Sequence, residues 1–399
     1  MRKKKLLTGL LIAALAVATV CVGGCKGGNG GQEGNSQSYI DLNVRPGEDG
    51  SETGSEAGNP DKPQATVVDE DNEFPAGLTE ADCYRSELTN MWIDESLKDQ
   101  RPIAVMVDNE LTALDHYGIN QADIVYECMN STANGRVTRL MCVVKDWAKL
   151  EQFGSIRSTR PTNVILAGEY NAILIHDGGP FYINNYLAKP YSNNISGGFA
   201  RFKNGKNYEF TEYVTYDNYN SDKDGLKSQL ARSGYSTTYN SNYPGPHFQF
   251  NDLTTELDGH YGCADGTDIY LPYPHNKSEL HYNEEKREYE YKEYGKWHVD
   301  PLDNNNVLSF DNVILQNTGW SLCKYNDGTP DPNGYMIYDV INEGSGYYFT
   351  KGKCIHITWK KTGEYTPTRY YDDNGNEIKM NTGKTYIGIA QKGRTPVFK

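Results

Sequence analysis

Apolar and polar positions follow two different patterns along this chain, and the change between them divides it. In residues 79–255, long apolar runs end in polar residues, as in Arg101–Asn109 and Tyr170–Gly179. Such runs are typical of strands that are covered on both faces of a sheet. Two more runs, Ala122–Cys128 and Arg136–Val144, flank a turn-rich stretch and predict a hairpin. This part of the chain therefore predicts at least four strands.

Two helices are predicted among these strands. Pro161 to Gly168 has a proline in the first turn and no helix breaker before its last residue, which favours a short helix. Ser221 to Arg232 predicts a second helix, with Ser221 as its N-cap. Because strands and helices are mixed, residues 79–255 predict a mixed α/β domain.

Residues 256–399 show short stretches rich in Tyr, Val, Ile and Thr, which predict a mainly antiparallel β domain. Between two of them, the sequence Asp-Asp-Asn-Gly-Asn at 372–376 predicts a tight hairpin turn. The predicted strands are 306–316, 335–341, 353–360, 368–371, 377–380 and 384–390. The fold class expected for the whole protein is α+β.

The first 25 residues have the organisation of a secretory signal peptide. Four basic residues, Arg2–Lys5, precede an apolar run that ends near Val20, and small residues then lead to Cys25. The ending Val-Gly-Gly-Cys resembles the bacterial lipobox, which implies cleavage before Cys25, a diacylglycerol on its thiol, and attachment to the extracytoplasmic face of the membrane. Two alternatives remain open: an uncleaved membrane anchor, or an ordinary cysteine after a plain signal site.

Residues 26–78 predict a disordered linker, because they are rich in Gly, Asn, Ser and acids and nearly free of aromatic residues. The linker carries −8 and the basic head of the signal peptide +4, so a whole-chain charge of −14 leaves −10 for residues 79–399. An acidic body repels phosphodiester backbones. Nucleic acid is therefore not expected as a partner.

No familiar cofactor or hydrolase motif is found in the sequence. The chain has no nucleophile elbow, zinc-protease motif, phosphate loop or dinucleotide fingerprint. The six cysteines after the linker are dispersed, with no Cys-x-x-Cys pair, so one disulfide stays open but a zinc site is not indicated. We therefore predict no cofactor, and the sequence leans against an enzyme without excluding one.

One loop is suited to an anion. In Gly154–Pro161, two arginines and two hydroxyl side chains lie just before the predicted helix: Arg157, Ser158, Thr159 and Arg160. Guanidinium groups and hydroxyls near a helix start supply donors and positive charge for phosphate or carboxylate. The alternative is that Arg157 and Arg160 pair with nearby acids and only hold the loops together.

Further polar residues lie at strand ends or in the following loops, where open α/β sheets place ligands. These candidate cleft residues are Asp108, Asn109, Glu127, Arg139, His176, Asp177 and His247. Glu127 and Arg139 are interpreted mainly as a buried ion pair within the hairpin. His176 is either a general base or an ordinary hydrogen-bonding histidine, and His247 is a residue that could meet it.

These segments together resemble the YerB-like lipoproteins, which consist of two adjacent domains of unknown function. The resemblance covers about residues 88–389 and rests on motifs that occur in order along the chain. They are Arg101–Asn109, Gln121–Glu127, Thr138–Met141, Gly154–Pro161 and His176–Gly179. It implies a lipoprotein with two domains and carries over no catalytic residue. One departure, Asn134-Gly135-Arg136 where a Gly-Gly pair is expected, puts only the local turn in doubt.

A second, fold-level likeness is to the LytR-CpsA-Psr phosphotransferases, which attach polymers to the cell wall. It would make Arg157 and Arg160 pyrophosphate ligands and Asp108 or Asp123 ligands of Mg²⁺. Magnesium is expected only under this alternative.

Three functions are therefore carried forward. The first is a non-catalytic envelope lipoprotein that binds a cell-wall glycan or a partner protein. The second is a Mg²⁺-dependent phosphotransferase or hydrolase acting on phosphate-linked envelope precursors. The third is a structural component of an envelope complex.

Overall fold

Eleven strands form the central sheet of the protein, and they come from both halves of the chain. The computed structural model describes residues 73–220, 224–394 and 396–399, so the predicted signal peptide, Cys25 and the linker up to residue 72 lie outside the described residues. In chain order the strands are β1 Ile103–Asp108, β2 Ile124–Met129, β3 Thr138–Val144, β4 Ile173–His176, β5 Asn193–Ser196, β6 Ala264–Asp265, β7 Asn312–Thr318, β8 Glu343–Thr350, β9 Lys353–Lys360, β10 Arg369–Tyr371 and β11 Thr385–Gln391.

The sheet is mixed in direction. Its order is β6-β9-β8-β7-β11-β2-β3-β1-β4-β5, and β10 adds to β9. The predicted hairpin is confirmed, since β2 pairs antiparallel with β3, and β3 pairs antiparallel with β1 on its other side. Strand β11 lies parallel between β7 and β2. The expected boundary between residues 255 and 256 is thus crossed by one continuous sheet.

A second sheet of six strands packs in the C-terminal half. Its strands are Asp268–Tyr270, Glu279–Asn283, Glu288–Glu293, Lys296–Trp297, Ser309–Phe310 and Val397–Phe398. Along Glu288–Glu293 buried and half-buried residues alternate, because successive side chains point to opposite faces. Tyr289 and Tyr291 are buried there, and both belong to the hydrophobic core that also contains the central sheet.

Smaller pairings complete the β structure. Three strands, Phe153–Gly154, Ala200–Arg201 and Glu212–Val214, form a separate sheet beside the end of β1. Four two-stranded pairs are Cys83–Arg85 with Trp92–Asp94, Gln249–Phe250 with Lys379–Met380, Val299–Asp300 with Asn306–Val307, and Trp320–Leu322 with Met336–Tyr338. The predicted turn at 372–376 is confirmed, with Gly375 at φ +82° and a bridge from Tyr371 to Glu377.

The helices are few and short. They are α1 Pro161–Gly168, α2 Asn184–Leu187 and α3 Leu226–Ser233. Single 3₁₀ turns occur at Glu80–Asp82, Glu95–Leu97, Leu111–Ala113, Ile119–Gln121, Asn134–Arg136, Trp147–Lys149, Phe181–Ile183 and Tyr208–Phe210. In the part of the chain that the structure describes, no helix is long and apolar enough to cross a membrane.

Helix α1 has the bounds predicted for it and is buried along its whole length. Its Thr162 hydroxyl accepts a hydrogen bond of 3.0 Å from the backbone N–H of Tyr338, which ties the helix to the C-terminal half. Helix α3 begins at Leu226 after the N-cap Gly225. The start predicted at Ser221 is therefore too early, and Ser221 itself lies outside the described residues.

The predicted mixed α/β character of residues 79–255 is wrong, and with it the α+β class. The described part of the protein is predominantly β, with 37% of its residues in strands and 13% in helices. The connections between the strands explain why so few residues are helical. Parallel strands are usually joined by long helices, but here the segment between β1 and β2 contains only 3₁₀ turns and Gly118 at φ +73°. Segments rich in Asn, Gly and Asp favour turns over helices.

Candidate anion-binding site

A cavity of about 510 Å³ opens where β1 ends and β3 begins. The loop before α1 closes one side, because Arg157 donates its backbone N–H to Met106 and Ile156 forms a bridge with Val107. The C-terminal half closes another side with His275 and Tyr335. The lining residues are Asp108, Glu110, Asn130, Gly135, Val137, Arg139, Arg157, Ser158, Arg160, Glu209, His275 and Tyr335. We call this space the arginine cavity, after Arg139, Arg157 and Arg160.

Arg157 is the paired arginine of the cavity. Its Nε lies 2.6 Å from Oδ2 of Asp108, and its Nη2 contacts the carboxylate of Glu209. Burial alone would lower the pKa of Arg157, but Asp108 and Glu209 outweigh it and raise that pKa. The expected alternative, in which the arginine ties loops together, is correct for this residue.

Arg139 is less well satisfied. It lies opposite Asp108 in the register of β1 and β3, yet its Nη1 is 3.7 Å from Oδ2 of Asp108, too long for a hydrogen bond. Only 5% of Arg139 is exposed, and its Nε and Nη1 have no hydrogen-bond partner. Burial lowers the pKa of Arg139, and the nearby Arg157 adds to that effect. Asp108 is thus shared between two arginines and neutralises Arg139 incompletely.

Arg160, at the N-cap of α1, has no carboxylate partner among the described residues. Its guanidinium lies 3.9 Å from the ring centre of Tyr335, and Nη1 donates to its neighbour's carbonyl, Thr159 O, at 2.7 Å. The residue is 5% exposed, and Nε has no hydrogen-bond partner. Burial, followed by repulsion from Arg139, lowers the pKa of Arg160 to about 10.

The arrangement is suited to an anion. Buried charges are normally paired, and buried donors normally have acceptors. Asp108 and Glu209 both pair with Arg157, whereas three guanidinium nitrogens of Arg139 and Arg160 have no hydrogen-bond partner. A phosphate or carboxylate would supply acceptors for these donors and charge for both guanidinium groups.

The predicted anion loop is thus partly placed in the cavity. Arg157, Ser158 and Arg160 line it, whereas Thr159 is fully buried, and its hydroxyl donates to the carbonyl of Arg160 at 3.4 Å. Of the cleft candidates, Asp108 and Arg139 also line it. The other five do not.

Glu127 and Asn109 belong to a buried hydroxyl network behind the cavity. The carboxylate of Glu127 accepts hydrogen bonds of 2.6 to 2.9 Å from four hydroxyls, those of Thr138, Ser278, Tyr291 and Tyr386. The side-chain amide of Asn109 donates to Thr138 at 2.8 Å. Burial, and then repulsion from Glu293, raises the pKa of Glu127 to about 7.

The predicted ion pair between Glu127 and Arg139 does not form. In the register of β2 and β3, Arg139 lies opposite Cys128, and Glu127 lies opposite Leu140. Because neighbouring residues of a strand point to opposite faces, Glu127 and Arg139 lie on different sides of the sheet. The prediction considered the distance between the strands but not the alternation of their side chains.

His176 and Asp177 lie on the far side of the loop before α1. Nδ1 of His176 bonds the carbonyl of Gly178 at 2.8 Å, Nε2 lies 3.3 Å from Oδ1 of Asn194, and burial lowers the histidine pKa. Asp177 pairs with Arg201 at 3.1 Å. Both residues have partners in the protein, and neither lines the arginine cavity.

His247 is bound elsewhere and does not meet His176. Its Nε2 lies 2.6 Å from Oε2 of Glu169, at the C-terminal end of α1, and both side chains are fully buried. Lys361 approaches the same carboxylate at 3.2 Å. The backbone N–H of Thr368 also donates to it, so Glu169 joins three segments of the chain.

The two aspartates expected as Mg²⁺ ligands lie at opposite ends of the sheet. Asp108 ends β1, whereas Asp123 precedes β2, which runs in the same direction because both strands pair antiparallel with β3. At about 3.3 Å per residue, five to six residues separate them by roughly 17–20 Å. Asp123 accepts the backbone N–H of Lys145 at 2.7 Å, and burial raises its pKa to about 7. Asp123 therefore cannot act together with Arg157.

Sequence reasoning missed five of the polar residues that line the cavity: Glu110, Asn130, Glu209, His275 and Tyr335. Glu110 and Asn130 follow the ends of β1 and β2, so the same rule about strand ends could have included them. His275 and Tyr335 are far away in the chain, and no local pattern indicates that they reach this place.

Gly135 shows how closely the two halves meet. It has φ +66°, which side-chain-bearing residues rarely adopt, and a Cβ placed on it would lie 2.6 Å from Nδ1 of His275. The departure noted in the turn before β3 therefore still provides a glycine where the backbone and the packing need one.

Two family models match this chain, one in each half. The family model described as the N-terminal domain of DUF3048, a protein of unknown function, matches residues 88–236, and that of its C-terminal domain matches residues 269–387. "Putative lipoprotein YerB" of Bacillus subtilis (strain 168) is 23% identical over 314 residues, which cover 77% of this chain and 86% of that protein.

A solved structure shows the same fold. The crystal structure of YerB protein from Bacillus subtilis superimposes with a TM-score of 0.63 at 21% sequence identity. The match covers 77% of this chain and 96% of that chain. At this identity the likeness establishes the fold only, and a ligand has to be inferred from the chemistry of the site.

Proposed function

The chain belongs to the YerB-like family with its two DUF3048 domains, and we propose that it is a lipid-anchored envelope protein that binds an anionic ligand in the arginine cavity. In this proposal Cys25 carries the lipid and holds the protein at the extracytoplasmic face of the membrane. The ligand is a phosphate- or carboxylate-bearing component of the envelope, and the protein binds it without transforming it.

One observation carries the proposal. Arg139 and Arg160 are each 5% exposed, line the same cavity, and keep buried N–H groups without acceptors. An uncompensated buried charge is costly, by about 3–5 kcal/mol when a partner is removed from a buried pair. A binding function explains why such a cost is retained, since an incoming anion would supply the missing partner.

The pairing of Arg157 supports binding of a ligand with limited charge. Asp108 and Glu209 already neutralise this arginine, and Glu110 also lines the cavity. These carboxylates would repel an extended polyanion. A single phosphate or carboxylate group between Arg139 and Arg160 fits the charges better.

The test is binding of inorganic phosphate to the full chain, purified in detergent, by calorimetry and thermal unfolding. A ligand at one hundred times its Kd stabilises a protein by about 2.7 kcal/mol, which corresponds to a rise in Tm of roughly 5–10 °C. We expect this rise in the wild type and in Arg232→Met, a matched control whose arginine pairs with Asp224 on the surface.

Arg139→Met and Arg160→Met should lose the rise while remaining folded. If phosphate, pyrophosphate and acetate all leave the wild-type Tm unchanged, the proposed function is wrong. If the rise persists in both cavity variants, the anion binds somewhere else and the proposal also fails. If the wild type hydrolyses or transfers a phosphate ester, the proposal that the protein binds its ligand without transforming it is wrong.

A further inference from the structure

The arginine cavity contains an unsatisfied acceptor as well as unsatisfied donors. Asn130 lines it, is 5% exposed, and its side-chain Oδ1 has no hydrogen-bond partner. The backbone of Asn130 is fixed, because its N–H donates to Val137 at 3.0 Å and its carbonyl accepts from Met336 at 3.3 Å. The backbone of this lining residue is therefore fixed beside the cavity.

Resting on the proposed function, we infer that the ligand is a hydroxyl-bearing phosphate ester, of the sugar phosphate or glycerol phosphate type. An inorganic anion offers acceptors to Arg139 and Arg160 but, once ionised, few donors to Asn130. A hydroxyl on the same molecule donates to Oδ1 of Asn130 while the phosphate accepts from the arginines. One ligand then satisfies both kinds of buried group.

The size and polarity of the cavity agree with this ligand. A volume of about 510 Å³ falls in the range of small-molecule pockets and is much larger than one phosphate group needs. Most of the remaining lining is polar, with carboxylates from Asp108, Glu110 and Glu209. Carboxylates repel additional phosphates but accept hydrogen bonds from hydroxyl groups. The lining thus favours hydroxyls over an acyl chain beside the phosphate.

Phosphate fits better than carboxylate because two arginines that lack full carboxylate pairing, Arg139 and Arg160, line the same cavity. A phosphate monoester carries up to two negative charges and three terminal oxygens, so it can bond both arginines at once. A carboxylate has one charge and would leave one of the two buried arginines without full compensation.

The experiment compares four ligands on the full chain in detergent by calorimetry. Methyl phosphate has the anion without hydroxyls, glucose 1-phosphate and glycerol 3-phosphate have both groups, and glucose has hydroxyls only. We expect at least one of the two hydroxyl-bearing esters to bind ten-fold tighter than methyl phosphate, and glucose not to bind. The tighter of the two esters shows whether the ligand is of the sugar phosphate or the glycerol phosphate type.

Asn130→Ala should reduce the preference over methyl phosphate to less than three-fold and leave the Kd of methyl phosphate unchanged. Arg160→Met should raise the Kd of every phosphate ligand by a similar factor. Equal binding of methyl phosphate and both esters by the wild type would overturn this inference and leave the proposed function standing. Absence of binding by every phosphate would overturn both. The ligand series needs no variant, so a misfolded Asn130→Ala protein would not prevent the test.

Discussion

Replacement of Arg160 by methionine separates a binding role from a structural one. Truncation of a buried side chain with native partners usually destabilises a protein. Arg160 is different, because its buried guanidinium has no carboxylate partner in the described residues and an Nε without an acceptor. Methionine has a similar length and no charge, so it can remain packed on the ring of Tyr335.

The expected change in stability follows from the environment of the side chain. Lowering the pKa of Arg160 from 12.5 to about 10 corresponds to about 3 kcal/mol of disfavoured charge. Methionine removes that cost, but it also loses the cation–π contact with Tyr335, about 1–2 kcal/mol, and the bond to the Thr159 carbonyl, about 1 kcal/mol. The variant should therefore be as stable as the wild type or up to about 1 kcal/mol more stable without ligand.

Urea unfolding at pH 7, followed by tryptophan fluorescence, measures this difference with and without phosphate. The wild type should gain stability from phosphate, and Arg160→Met should not, while Arg232→Met should behave like the wild type. A loss of more than 2 kcal/mol in Arg160→Met without ligand would refute the reasoning, because the arginine would then be a stabilising residue. So would an undiminished response of that variant to phosphate.

Three further changes test the rest of the structure by denaturant unfolding across pH. The Lys361 ammonium and His247 outweigh the effect of burial and lower the pKa of Glu169 to about 2. This shift adds about 3 kcal/mol to the free energy of unfolding. The added stability is present above pH 4.5 and is lost as pH falls towards 2. Glu169→Gln should lack it at pH 7; equal stability there would contradict the ion-pair account. The raised pKa of Glu127 has the opposite effect on the pH dependence of stability. The neutral carboxyl is favoured in the folded protein, so its contribution to the free energy of unfolding is present below pH 4.5 and is lost as pH rises through 7. Wild type should thus lose up to about 3 kcal/mol relative to Glu127→Gln over that range, and parallel pH profiles would show that the carboxylate does not titrate there. Gly135→Ala should cost about 1–2 kcal/mol through its positive φ and its approach to His275, and an unchanged midpoint would disprove that crowding.

Local signals in the sequence predicted local structure well. Pro161 and the unbroken run after it predicted α1 with its observed bounds. The apolar runs around the turn-rich stretch at 129–135 predicted the β2–β3 hairpin, and the strand at Lys353–Lys360 was also predicted with its observed bounds. Each of these features depends on residues that are close together in the chain, so propensity and periodicity were sufficient.

Long-range structure was not predictable in this way. The parallel pairing of β11 with β2 joins segments about 260 residues apart. The sequence of an apolar strand does not indicate which other strand it will pair with. The α/β expectation failed because the helices among these strands are few and short, so strands and turns dominate. In the site, the loop with Arg157 and Arg160 was found from sequence, but Tyr335, which stacks on Arg160, was not.

The arginine cavity depends on both halves of the chain, and so does the buried network behind it. Of the four hydroxyls that bond Glu127, three belong to residues of the C-terminal half: Ser278, Tyr291 and Tyr386. Residues 79–255 alone would leave this carboxylate with Thr138 and Asn109, remove Tyr335 from Arg160, and expose the edge of β2 where β11 pairs. An isolated half should therefore be unstable and unable to bind phosphate. Because the ligand contacts would come from one half and their support from the other, binding and the joining of the halves must stabilise each other.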